Sequence, residues 1–460
     1  MDAVLLSRIQ FGFTIGFHIL FPTLTIGLAW FLVFFEAALG RTHRQSWLKL
    51  YSFWVKIFAL TFGMGVVSGL VLSYEIGTNF SRFSTIAGPV MGPLLSVEVL
   101  TAFFVEAGFL GVMLFGWEKV GPRLHFLATL LVALGTTNSA FWILSANSWM
   151  HTPQGITWVD GHVEPQDWFA VIFNPSFPYR LAHMLLASLL TSSLVVAGVS
   201  AAQWRRDGDS YAKGGLRVAV VAIAVLAPLQ IVAGDQQGLN VREHQPVKVA
   251  AMEGLWHTRS DVPLIAFAIP DQTAQDNRFA IEVPNLASLI LTHSLHGEVQ
   301  GLDSVPRDQQ PPVLPVFFGF RLMVGLGFWF LLLGATGVVL LLRKRLERSP
   351  LFLTTLKWST PLGFVATISG WVVAETGRQP WVVYGLLRTA DATSPIPAAD
   401  VAGSLAVFVL VYGVVFTTYL YFIRRLVRAG PVLPARHPQA MRGARAAEVL
   451  PKSSGFQSWT

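Results

Sequence analysis

The chain has no cysteine among its 460 residues. That excludes disulfides, thiolate metal ligands, cysteine-held iron–sulfur clusters and the C-x-x-C-H attachment of c-type haem, so any bound metal must rest on His, Met, Glu or Asp. Charge is scarce too. Asp, Glu, Lys and Arg make up 13% of the residues, about half the share of a soluble chain, against 53% hydrophobic residues and a mean hydropathy of +0.54. A basic leader ahead of a short apolar core is also missing. The first apolar run follows Asp2 and Arg8 and continues too far to read as a cleavable signal peptide. No short internal repeat stands out.

What the chain has instead is apolar runs of about 20 residues, enough to cross a hydrocarbon core roughly 30 Å thick. Nine are expected, over 12–39, 50–73, 94–116, 125–146, 180–203, 216–233, 314–342, 356–376 and 402–427. The fold expected is all-α, a polytopic integral membrane protein of about nine transmembrane helices. Basic residues gather in alternate loops: Arg41, Arg44 and Lys49; Lys119 and Arg123; Arg205, Arg206, Lys213 and Arg217; Arg343, Lys344, Arg345, Arg348 and Lys357. The end of the chain adds Arg424, Arg425, Arg428, Arg436, Arg442 and Arg445, whereas the loop at 147–179 carries Asp160, Glu164 and Asp167 with no Lys or Arg. The positive-inside rule then predicts the N-terminus outside and the C-terminus in the cytoplasm, and it accounts for the net charge of +7 without nucleic acid. Residues 1–233 hold spans one to six and 313–427 hold spans seven to nine. Between them lies a long polar outer loop, 234–312, of a length that usually carries function. The tail, 428–460, has the composition of a disordered segment.

Ionisable groups inside spans are costly, and each is a candidate for function. Span one carries His18; span three carries Glu98 and Glu106, eight residues apart and about 80° apart around a helix. Span five begins with His183, span seven with Arg321 and Met323, and span eight ends on Glu375 with Arg378 just beyond. Taken singly these have plain readings. A lone Met is usually core filler, a lone His can be a hydrogen-bonded packing residue, and Glu98 can cap a helix start. Together they fall in one leaflet, the outer one. Two His, a Met and three Glu form a ligand set suited to haem iron, with Arg321 and Arg378 available for propionates. An ion or proton pathway through the carboxylates is the competing reading.

The segments "SRIQFGFTIGFHILFPTLTIG", "SVEVLTAFFVEAGFLG", "ALGTTNSAFWILSANSWM", "FRLMVGLG" and "WVVAETGRQPW" follow one another over residues 1–427 in an order that resembles subunit I of the cytochrome bd-type quinol oxidases. The resemblance implies a catalytic, haem-bearing subunit of a terminal respiratory oxidase that oxidises quinol at the outer face and reduces O2 to water. It implies that His183 and Met323 ligate a low-spin haem b558. His18 and Glu375 would be the single protein ligands of two high-spin haems, b595 and a haem d or third haem b. Glu98 and Glu106 would deliver protons beside those haems, and Glu98, Arg321, Trp371 and Arg378 would line them. In "EHQPVKVAAMEGLW" it implies a quinol site of Gln245, Lys248 and Glu253, where the residues alone would read as a solvated surface pair. The loop is short here, and "NLASLILTHSLHGEVQGL" is most like the cyanide-insensitive branch. A second multi-span subunit, sometimes with a small single-span one, and a bacterial inner membrane location complete the expectation. The alternatives are a proton- or ion-translocating protein and a haem-free assembly subunit of the same family.

Overall fold

A computed structural model describes residues 2–431; the expected tail from 432 onward lies outside the described residues. Helices α1 (Ala3–His18) and α2 (Leu20–Thr42) form one apolar stretch bent at Ile19, with Asp2 capping its start through a 2.7 Å bond from Leu5 N. Helix α3 (Gln45–Asn79) follows. Then α4 (Ser81–Glu98) runs through a π-helical turn, Val99–Phe103, into α5 (Phe104–Phe115), and α6 (Pro122–His151) returns. A small hairpin of β1 (Ile156–Val159) and β2 (His162–Pro165) leads through α7 (Trp168–Ile172) to the long pair α8 (Phe177–Asp207) and α9 (Ser210–His244). The outer loop folds as α10 (Pro246–Glu253), an antiparallel hairpin of β3 (Leu264–Asp271) and β4 (Asp276–Val283), and α11 (Leu286–Thr292). After it come α12 (Val313–Leu342), α13 (Pro350–Ser359), α14 (Leu362–Thr376), a two-strand turn of β5 (Trp381–Val383) and β6 (Leu387–Arg388), α15 (Thr389–Ala392) and α16 (Ala398–Ala429).

Among the described residues, eight stretches are long and apolar enough to cross a membrane. The expected span over 356–376 differs. Its helix stops at Ser359 and restarts at Leu362, because Pro361 has no N–H to continue the ladder, leaving two pieces of 10 and 15 residues. Two helices also outrun their apolar cores. Helix α6 reaches His151, and α9 continues to His244, so the outer loop departs at Gln245 rather than at Gly234. Gln236, Gln237 and Leu239 keep helical propensity after the apolar run ends.

Packing divides the bundle into layers. One core, toward the basic loops, joins Leu28 and Phe35 of α2, Tyr51, Trp54 and Phe58 of α3, and buried residues of α8, α9, α12 and α13. A second lies under the outer loop, where α10, β3 and the start of α12 meet around Val249, Ile265 and Phe317. Between them the helices part: no residue is buried over 181–187 of α8, 228–239 of α9 or 318–329 of α12. Below that level α9 and α12 touch backbone to backbone. A Cβ on Gly334 would lie 2.7 Å from Ala224 Cα, whereas one on Gly327 would meet nothing within 4 Å. Gly334→Ala is therefore expected to destabilise by about 1–3 kcal/mol through overpacking. Gly327→Ala should be neutral or stabilising, and thermal unfolding midpoints of the two variants test the contrast.

Candidate functional site

At the end of α14, Glu375 sits inside a buried hydrogen-bonded network drawn from four elements. Asn147 Nδ2 of α6 donates to Glu375 Oε1 at 3.0 Å, and Arg378 Nη2 donates to Oε2 at 2.5 Å. His151, the last residue of α6, is completely buried, with Nε2 3.1 Å from Glu375 Oε1. Its other nitrogen, Nδ1, accepts from Lys248 Nζ at 3.0 Å, which leaves the proton on Nε2 to be donated to the carboxylate. Lys248 also donates to Gln245 Oε1 at 2.5 Å, and Gln245 Nε2 donates to the His151 carbonyl at 3.0 Å. Arg180 of α8 closes the set by donating to Asn147 Oδ1 at 3.2 Å. Two expected sites, the Glu375 ligand position and the Gln245/Lys248 pair, are thus one network bridged by His151.

Charge in this network is unbalanced. Arg180, Arg378 and Lys248 face the single carboxylate Glu375. Burial, reinforced by the charge of Arg180, holds the Lys248 ammonium well below its ordinary pKa. Among the described residues, Arg180 Nε and Arg378 Nε and Nη1 have no acceptor. Buried guanidinium donors without partners cost stability, and they are the donors that bind carboxylates bidentately.

Glu253, on the same helix as Lys248, has different partners. On α10 it lies five residues from Lys248, about 140° around the helix, and it pairs with Arg321 Nη2 at 3.1 Å. Arg321 is held as well by the carbonyls of Met252 and Ile265, with its guanidinium 3.8 Å over the Phe317 ring. Burial pushes the Glu253 carboxyl above its usual pKa, while Arg321 opposes the shift. None of Gln245, Lys248 and Glu253 is a solvated surface residue; each is at most 6% exposed.

Three expected iron ligands share a different feature. His18 ends α1, and its Nδ1 lies 2.9 Å from Ser68 Oγ, whose own proton is directed at Met64 O, 2.8 Å away. Ser68 therefore accepts from Nδ1–H and leaves His18 Nε2 with its lone pair, the form a metal requires. Opposite it, a Cβ on Gly69 would lie 3.2 Å from the His18 ring. On α8, His183 has Gln230 Nε2 3.3 Å from each ring nitrogen, and a Cβ on Gly234 would lie 3.3 Å from its ring. On α12, Met323 Sδ would lie 2.8 Å from a Cβ on Gly370. His183 and Met323 both sit where α8, α9 and α12 part. Among the described residues, no three His or acidic side chains gather to hold a bare ion. Single or paired ligands faced by glycine, beside unpaired buried Arg donors, fit a flat iron macrocycle with carboxylate substituents. These residues fit a haem.

The carboxylates of the third expected span look toward α6. Ser139 Oγ donates to Glu98 Oε1 at 2.6 Å, and Gly135, four residues earlier on the same face, makes room for the Glu106 side chain. The π-helical turn between the two glutamates lies within their eight-residue separation and changes the turn-by-turn phase. Glu106 Oε1 is buried without a partner. Trp371 lies on α14 with its ring edge toward Gly12 of α1.

Sequence reasoning did not single out Asn147, His151 or Arg180. Arg180 carried the usable signal, a charged residue in the first turn of an apolar helix; His151 sits just beyond the motif that ends at Met150. Glu36 and Glu75 also lie in apolar stretches. Glu36 is bound by His125 and Thr129 at 2.6 Å each, and Glu75 is buried beside Thr14. For the Glu253–Arg321 pair, removing one partner strands a buried charge. Arg321→Met is expected to cost about 3–5 kcal/mol, and adding Glu253→Gln should recover part of it. A double-mutant cycle on unfolding midpoints measures that coupling.

A family model described as Cytochrome bd terminal oxidase subunit I matches residues 6–431. Cytochrome bd ubiquinol oxidase subunit 1 of Bacillus subtilis (strain 168) is 34% identical over 428 residues, covering 90% of this chain and 91% of that one. Cytochrome bd-II ubiquinol oxidase subunit 1 of Escherichia coli (strain K12) is 31% identical over 517 residues, covering 96% and 100%. The solved structure of bd oxidase from Geobacillus thermodenitrificans superposes with a TM-score of 0.88 at 30% identity, covering 94% of this chain and 99% of that chain.

Proposed function

The chain belongs to the cytochrome bd terminal oxidase subunit I family, and from that premise we propose which of its residues serve the family's reaction. The enzyme is a quinol:oxygen oxidoreductase of a bacterial membrane that reduces O2, and the family works with a second subunit. The observation that carries the residue reading is the buried positive charge around Glu375, with Arg donors that have no acceptor. Haem, when bound, supplies one-electron storage and an iron at which O2 is reduced. His183 and Met323 hold the low-spin haem b558. His18 and Glu375 hold the two high-spin haems, b595 and a haem d or third haem b. Arg378 and Arg180 take propionates, and Trp371 packs against a macrocycle. Ser68 keeps His18 in the ligating tautomer.

Quinol oxidation releases protons with its electrons, so the reaction needs a base beside the ring hydroxyl. Glu253 is that base, held by Arg321. Lys248 and Gln245 orient the ring from the network that reaches Glu375 through His151. Glu106 and Glu98 pass protons inward along the face of α6 marked by Gly135 and Ser139. Uptake from the basic-loop side and release at the outer loop separate charge across the membrane. The N-terminus lies outside and the C-terminus in the cytoplasm of a bacterial inner membrane, with α13 and α14 together crossing as the eighth of nine spans. A second multi-span subunit completes the assembly, as in the family, where a small single-span one is sometimes added. The outer loop is the short form, with α11 starting three residues after β4.

A reduced-minus-oxidised visible spectrum of the purified complex tests the reading: haem b bands are expected, and their absence refutes it. A further long-wavelength chlorin band identifies haem d. His183→Ala should remove the low-spin signal and spare the high-spin ones; an unchanged low-spin signal overturns that ligand. Glu253→Gln should leave the spectrum intact while slowing quinol turnover by about 10²–10⁴-fold. The pH profile supplies the sign. Glu253 must be ionised to accept a proton, and burial raises its pKa. The wild-type rate should therefore fall with acidity along a limb above about pH 4.3, and the variant should lack that limb.

A further inference from the structure

The β3–β4 hairpin is the most apolar exposed surface of the outer loop. Phe279 is 78% exposed, Ile281 61%, Phe267 44% and Val283 43%. Phe267 pairs with Ile281 across the strands and Leu264 with Val283, so these side chains gather toward the end of the hairpin near α12. Charge collects at the opposite end, where Arg278 bonds Asp271 at 2.5 Å beside the turn. One extra residue on β4 interrupts the register between Arg278 and Ile281, and there Phe279 takes a φ of 56°. A left-handed conformation in so bulky a residue costs about 1–3 kcal/mol. Such bulges re-aim a side chain. Here the aim is outward, away from any protein core.

The hairpin's level follows from Arg321. Its Nη2 and Nε donate to Ile265 O of β3 at 2.7 and 3.0 Å, so the strand lies at the level of that side chain. From Arg321, α12 runs uninterrupted to Arg343 at its far end, 22 residues on, which is about 33 Å of helix. The hydrocarbon core is roughly 30 Å thick. Arg321 and the first half of β3 therefore stand at the boundary between acyl chains and headgroups. Phe267 also meets Phe318, one turn before Arg321, with ring centroids 6.0 Å apart. Phe318 and Leu322 lie on the outward face of α12, 38% and 49% exposed. The apolar face of the hairpin thus continues the exposed apolar side of α12.

We propose that the β3–β4 hairpin is a membrane-contacting element whose apolar face rests in the interfacial layer of the bilayer on the side where α12 begins. Its occupant is lipid rather than a second protein. A soluble partner would meet charge on this face. Here Asp271, Asp276 and Arg278 sit at the turn, Glu282 alternates with Ile281 and Val283 along β4, and the exposed side chains of Phe267, Phe279, Ile281 and Val283 are aliphatic and aromatic, as in interfacial elements. The inference needs only that α12 spans, and it stands or falls apart from the quinol assignment.

The absence of cysteine allows the test directly. In the purified complex in lipid nanodiscs, Phe279→Cys, Ile281→Cys and Asp276→Cys are each spin-labelled, with the parental complex as background. Collisional broadening is measured with O2, which partitions into lipid, and with a water-soluble nickel chelate. The expected result is an O2-to-nickel accessibility ratio several-fold higher at 279 and 281 than at 276. Equal ratios at the three positions would place the hairpin in water and overturn the proposal. Protection of 279 and 281 from both reagents would mean that protein covers the face, which also overturns it. If labelling at 279 prevents folding, position 281 decides alone.

Discussion

Burying a guanidinium in a membrane protein demands a partner, and the arrangement of this chain's functional half follows from how that demand is met. Arg321 meets it with Glu253, two backbone carbonyls and the face of Phe317, and in doing so ties α10 and β3 to α12. Arg378 meets it only in part, through Glu375, and Arg180 only through Asn147. The first arrangement is closed and structural as well as chemical. The second leaves buried donors without an acceptor among the described residues. One imidazole, His151, joins Lys248 to Glu375 at the contact of α6 with α10 and α14.

Glycine placement tells the same story from the other direction. Where helices need only to pack, glycine brings backbones together, as Gly334 does against Ala224. At Gly69, Gly234 and Gly370 the close neighbour is instead a side chain able to ligate iron. The bundle is dense toward the basic loops and thinned at the level of His183 and Met323, so packing and chemistry occupy separate layers. A core filled with Leu and Phe at both levels would be more stable and could hold nothing.

Much of this was legible in one dimension. The apolar runs located the long helices, and the intramembrane His183, Arg321 and Met323 fall in the segments where α8 and α12 part. The break at Pro361 was visible as a proline but not as the end of a helix, since apolar residues continue on both sides of it. The overrun of α9 to His244 was hidden because hydrophobicity and helix propensity end at different places. Lys248 and Glu253 are neighbours in sequence. Helix geometry sends them to different partners, one toward Glu375 and the other toward Arg321. His151 could not be recognised at all, because its meaning lies in Lys248 and Glu375, 97 and 224 residues away.

The division into a self-packed layer and a thinned one also bears on how such a chain is made. The layer toward the basic loops is complete with its own side chains and can settle as soon as its helices are inserted. The layer holding His183, Met323 and Glu375 is not: its helices carry unpaired buried donors and glycine-faced ligands until something flat and anionic is supplied. Packing alone therefore completes one layer of the bundle, and the other waits on a bound group.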